Sequence, residues 1–171
     1  GKDLVNLNDK ELKGLRWTKM AAVFQKSMNS LSPVHRIGSQ LIDIYKVHRP
    51  NASKAEAKNR IMELLNLVNL PERTFNSYQH ELSGGMRQRI SIALSLMFNP
   101  KLIIMDEATT ALDVVTESQI LSEIMQLEKD LNVTRLMITH DISIVANTCN
   151  KIAVMYAGHL VEFGLVKDVI P

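Results

Sequence analysis

Two short segments of this chain hold groups that could work on a phosphate. In Leu82-Ser83-Gly84-Gly85-Met86-Arg87-Gln88-Arg89, a serine suited to capping a helix precedes two glycines. The first helical turn would then offer free backbone N–H groups at the positive end of the helix dipole, with no side chain to keep an anion away. Further on, Leu102-Ile103-Ile104-Met105 runs into Asp106-Glu107. An apolar strand closing on two carboxylates is a place where a magnesium ion and an attacking water can be held. Each segment alone is ordinary, since helix caps and acidic strand ends occur on many folds. His140, between Thr139 and Asp141, and Gln25, after Met20-Ala21-Ala22-Val23-Phe24, are further polar groups at the ends of apolar runs. A lone histidine or glutamine in such a place is more often structural than reactive.

The elements that must position these groups can be read from caps and periodicity. Asn8-Asp9-Lys10-Glu11 predicts a capped helix over Asp9–Leu15, and Met20–Phe24 a buried strand delivering Gln25 to a sheet edge. After the turn Ser30-Leu31-Ser32-Pro33, the apolar residues Ile37, Leu41, Ile44 and Tyr45 fall at helical spacing over Ile37–His48. Ser53-Lys54-Ala55-Glu56 is a second capping box, opening a helix with the stripe Ile61, Leu64, Leu65, Val68 that runs until Pro71. Residues 26–81 are therefore mainly helical. From Ser83 onward the pattern alternates: helix over 84–98, strand Leu102–Asp106 buried on both faces, helix Val114–Leu131, strand 135–139, and a short helix capped by Asp141. Strands over 152–156 and 160–163 flank the turn Ala157-Gly158-His159. Strands alternating with helices imply an α/β fold with parallel pairing and helices on the faces.

Bulk properties narrow the classes. With 171 residues, 46% of them apolar, the chain can bury one substantial core. A net charge of +2, near balance, argues neither for a nucleic-acid footprint nor for a polybasic membrane patch. Cys149 is alone, so no internal disulfide is possible and a reducing, cytosolic setting is expected. No apolar stretch approaches the roughly 18 residues that span a bilayer.

The octapeptide at 82–89, the carboxylate pair followed by Ala108-Thr109-Thr110-Ala111-Leu112-Asp113, and Thr139-His140-Asp141 together resemble the ATP-binding domain of ABC transporters, over almost the whole chain. The resemblance implies a P-loop NTPase core with a mainly helical subdomain: residues 1–25 a remnant of the core ending in the Q-loop strand, 26–81 the helical subdomain, and 82–171 the rest of the core. It implies that Ser83, Gly84, Gly85 and Gln88 belong to the signature, which meets the γ-phosphate of ATP held by an opposing subunit in a head-to-tail dimer. Asp106 would hold Mg2+ through water, Glu107 would be the general base, and His140 the H-switch. Gln25 would sense magnesium and attacking water, its loop touching transmembrane permease subunits, and Asp113 would face the partner ATPase. The cofactors implied are ATP and Mg2+, and the place is the cytoplasmic face of a membrane complex, with no nucleic acid partner. The family's G-x-x-x-x-G-K-[ST] loop is missing, and Gly1-Lys2-Asp3 is no remnant of it, so an N-terminally truncated fragment, inactive alone, is expected. Ala108 stands where the family usually has proline, and Lys26-Ser27 where an acidic residue and proline are expected. Met86, the Met155-Tyr156-Ala157-Gly158 run and Tyr78-Gln79-His80-Glu81 resemble the oligopeptide and dipeptide importer branch. Rival readings are a DNA-repair or chromosome-maintenance ATPase of the same superfamily, against which 26–81 shows no sustained heptads, and a non-catalytic interaction module.

Overall fold

Side-chain caps set most of the helix starts. The structure is a computed structural model describing residues 3–24, 31–109 and 112–170, in two compact units, Gly1–Met137 and Ile138–Pro171. In the first unit, α1 (Asp9–Leu15) opens on the expected reciprocal box: Glu11 N donates to Asn8 Oδ1 at 2.9 Å and Asn8 N to Glu11 Oε2 at 3.2 Å. Strand β1 (Met20–Phe24) and helix α2 (Ile37–His48) keep the bounds read from the sequence. Helix α3 (Lys54–Leu67) makes only half of its box. Glu56 N donates to Ser53 Oγ at 3.0 Å, whereas the Glu56 carboxylate accepts from the Tyr45 hydroxyl of α2 at 3.1 Å. The carboxylate is spent on joining two helices.

Helix α4 (Gly84–Ser95) is the strut of this unit, packed against α3, β1 and α5 (Val114–Leu131). Its second half is buried on every side, including Ile90, Ile92, Ala93 and Leu94, and the Ser91 and Ser95 hydroxyls turn back onto the Arg87 and Ile92 carbonyls. A helix end buried so deeply needs partners for its last carbonyls. Arg60 of α3 serves the carbonyls just past that end, donating to Leu96 O and Met97 O at 3.1 Å each and to Asn99 Oδ1 at 2.7 Å. The helix ends at Ser95 rather than 98; residues 96–98 continue as turns, and Asn99, with a left-handed backbone of φ 51°, leads into Pro100.

Strands β1, β2 (Leu102–Asp106) and β3 (Thr134–Ile138) form one sheet in that order, β1 and β2 parallel with Phe24 opposite Asp106. Ala21, Val23, Ile103 and Met105 are buried under α4 and α5, while Ala22 and Phe24 are exposed and Ile104 is half-covered. Arg135 lines the same internal space as Val23 and Met105, so the pleat turns Leu136 to the opposite face. The expectation that β2 is buried on both faces is thus not met. Among the described residues, helices cover one face of this sheet only. Ahead of β1, Trp17 adopts φ 68° and donates its N–H to Met20 O at 2.8 Å; its ring lies 5.7 Å from that of His48 at the end of α2.

The second unit holds α6 (Ile142–Thr148), α7 (Val166–Val169) and an antiparallel hairpin of β4 (Lys151–Tyr156) and β5 (His159–Leu165). Ala157 and Gly158 form its two-residue turn with φ 47° and 81°, the left-handed pair that matches strand twist.

Candidate phosphate-binding and hydrolysis site

Ser83 caps α4, its Oγ accepting from Met86 N at 3.3 Å, while the Arg87 guanidinium donates to Leu82 O at 2.6 Å and secures the approach to the helix. A Cβ at Gly85 would lie 2.7 Å from Thr116 Cγ2, and one at Gly84 would lie 3.8 Å from Leu112 Cδ2. The first turns of α4 and α5 therefore lie side by side, closer than an alanine at position 85 would let them. Asp113 caps α5, its Oδ1 accepting from Thr116 N at 3.0 Å. That backbone bond first, then the bond to the Thr116 side chain, holds the exposed Asp113 carboxyl below its ordinary value. Two helix starts with positive dipole ends and small or acidic residues are thus brought together. Gln88 is separated from them: its side chain is fully enclosed, with no hydrogen-bond partner for either amide atom among the described residues. It is not open to direct contact with a ligand in this structure.

Asp106 ends β2 beside the end of β1, and Gln25, which follows Phe24, lies outside the described residues. Glu107 has φ 45°. A glutamate in the left-handed region is strained by its own Cβ, and such strain collects where a side chain must be aimed. Ala108 and Thr109, both buried, fix the chain behind it. His140 belongs to the second unit, between β3 and the cap of α6. There Asp141 N donates to Thr139 Oγ1 at 3.1 Å and Asp141 Oδ1 accepts from Ser143 N at 2.8 Å, so the backbone on both sides of the imidazole is tied down.

Sequence reasoning missed the partners of this arrangement. Arg89 donates to Glu123 Oε1 of α5 at 2.7 Å, and Thr116 fills the space left by Gly85. The available signal was the spacing of Gly85 and Arg89, one turn apart on one helix face. The left-handed backbone of Glu107 had no signal, because glutamate is not a residue that announces that conformation.

The family model described as ABC transporter matches residues 2–110. Over 171 residues the chain is 46% identical to the oligopeptide transport ATP-binding protein OppD of Bacillus subtilis, covering 99% of this chain and 48% of that protein. It is 44% identical to OppD of Escherichia coli, covering 50% of it. The chain spans about half the length of the curated relatives it matches. Among solved structures, the dimeric post-hydrolysis form of the ATP-binding cassette MJ0796 bound to ADP and Pi superposes with a TM-score of 0.79 at 30% identity, covering 94% of this chain and 68% of that one. The cbiO1 component of the cbiONQ transporter complex from Clostridium perfringens gives a TM-score of 0.82 at 28% identity, covering 95% and 62%. With the signature turn, the carboxylate-ended strand and these likenesses together, the chain belongs to the ABC transporter family, with the fold of its ATP-binding cassettes.

Proposed function

We propose that this chain is part of the ATP-hydrolysing subunit of an ABC importer for peptides or related small solutes. The observation that carries the proposal is the pairing of a Ser83-capped, glycine-opened helix with the start of α5, next in sequence to a strand that ends in Asp106 with Glu107 directly after it. Identity to OppD proteins along the full chain supports the importer branch. Residues 26–81 are the helical arm of this reading, with Gln25 at the loop that meets the permease. No helix of the described residues is long and apolar enough to cross a membrane, which suits a peripheral subunit on the cytoplasmic face.

The donor set fits magnesium. That ion keeps several waters and binds through one or two carboxylates plus substrate phosphates, and among the described residues no group of three or more His, Cys, Asp or Glu gathers into a protein-only cage. Asp106 would hold it, and when bound it neutralises the terminal phosphates. Glu107, aimed by its left-handed backbone, takes the proton of the attacking water as the new oxygen–phosphorus bond forms and the bond to the leaving diphosphate oxygen breaks. Ser83 and the N–H groups of residues 84 and 85 receive the γ-phosphate of a partner's ATP, and His140 stabilises the charge moved to the transferring group. Asp113, anionic through its cap, faces the partner across the seam. The 171 residues carry no glycine-rich phosphate loop, so the assay uses the longer subunit that contains them.

In that subunit, Glu107→Gln should bind ATP yet lose about 10² to 10⁴ in turnover, as removal of a general base does. Steady-state hydrolysis near the wild-type rate would refute the role of Glu107. Uptake of a labelled oligopeptide that survives deletion of the gene, in a strain lacking other peptide importers, would refute the substrate class.

A further inference from the structure

We propose that Arg89 is a positioning residue that locks the phosphate-facing end of α4 to α5, so that the signature turn and the Asp113 end move as one body. The inference rests on the reading of the signature turn given above. Gly85 and Arg89 lie one turn apart on α4; Thr116 and Glu123 lie two turns apart on α5, in the same sense. The first contact between the helices, Gly85 with Thr116, is made by the absence of a Cβ at Gly85. The second is made by Arg89 Nη1, which donates to Glu123 Oε1 at 2.7 Å and to Val68 O, at the end of α3, at 3.1 Å. One contact lets two rods pivot; two contacts along the same rods remove that rotation. The bond to Val68 extends the lock to the helical arm.

Exposed ion pairs hold little, but these side chains are only 14% and 24% accessible, and the same Nη1 serves a carbonyl as well. Loss of the guanidinium would leave a sheltered carboxylate and a main-chain oxygen without their donor. Such a lock has a mechanical use. A signature turn that meets one subunit's phosphate and an Asp113 end that faces its partner can answer to a single event only if they cannot slide past each other.

The test uses the longer subunit with Glu123→Gln, which keeps the shape of the side chain, Arg89→Lys, and the reversed pair Arg89→Glu with Glu123→Arg. Hydrogen exchange is followed at residues 84–87 and 114–117, beside ATP turnover and melting temperature. The lock predicts that Glu123→Gln and Arg89→Lys speed exchange in both turns together, and that kcat falls about tenfold while the KM for ATP moves less than about twofold. The reversed pair should restore both readouts toward wild type. Unchanged exchange, faster exchange in α4 alone, or coupled exchange with unchanged kcat in an active subunit would each overturn the proposal. So would a lower melting temperature with exchange in both turns unchanged, which marks a merely structural pair. A wild-type subunit that hydrolyses no ATP would sink the proposed function, and the exchange results would still decide the lock.

Discussion

Glu107 and Gln88 show how single residues carry strain at a site. The left-handed backbone of Glu107 is disfavoured for a residue with a Cβ by about 1–2 kcal/mol, and glycine there would be at ease. Glu107→Gly in the longer subunit should therefore keep or raise stability, by up to about 1 kcal/mol, while abolishing hydrolysis. A clear loss of stability in urea unfolding would mean that the position is not strained. Gln88 is the reverse case, an amide enclosed on α4 with neither polar atom partnered among the described residues. A buried group left so costs about 1–3 kcal/mol, and a methionine of similar length has no such demand. Gln88→Met should raise the urea midpoint at an unchanged m value, by about 1 kcal/mol in stability. A destabilised Gln88→Met would show that the amide is satisfied in solution. The octapeptide marked Gln88 as a ligand contact by its place in a motif; its burial, set by tertiary packing, could not be read from spacing.

At the scale of elements, the sequence was most legible where local chemistry decides. Asn8, Ser53, Ser83 and Asp141 cap the helices they were expected to cap, Asp113 caps α5 without having been read as a cap, and the strands before Gln25 and Glu107 keep their predicted bounds. Helix ends were less legible. Asn69, Asn99 and Asn132 each take a positive φ at or just past a helix end, a role asparagine fills only sometimes and glycine more often. Contacts between elements were not legible at all, as with the Glu56 carboxylate drawn to Tyr45. The α5–β3 contact is a further example with a measurable consequence. Burial pushes the Glu128 carboxyl above its ordinary value of 4.5, against the pull of Arg135, whose Nε lies 2.6 Å from Glu128 Oε1 out of line for a hydrogen bond. An acid raised by folding binds more protons folded than unfolded between its two pKa values. Its contribution is then fullest below the ordinary value and is lost as pH rises through the raised one. The stability of wild type relative to Glu128→Gln should accordingly fall as pH rises through the range above the ordinary value of 4.5. Parallel urea midpoints for the two proteins across that range would contradict the assignment.

For the molecule as a whole, the uncovered side of the β1–β2–β3 sheet decides behaviour in solution. Phe24, Leu136 and Ile138 are each at least half exposed, and β3 is an edge strand among the described residues, with no charge, proline or bulge within 136–138. The 171-residue polypeptide alone should self-associate at roughly tens of micromolar, and Leu136→Lys should reduce that association. Light scattering that finds a monodisperse wild-type monomer would disprove this. Trp17 offers a way to watch the other end of the same unit. It is the only tryptophan in the chain, and its indole sits against His48 ahead of β1. Intrinsic emission excited at the indole band therefore reports on one place, the docking of the leading segment onto α2. The colour and intensity of that emission therefore give a built-in optical gauge of this contact, with no label attached.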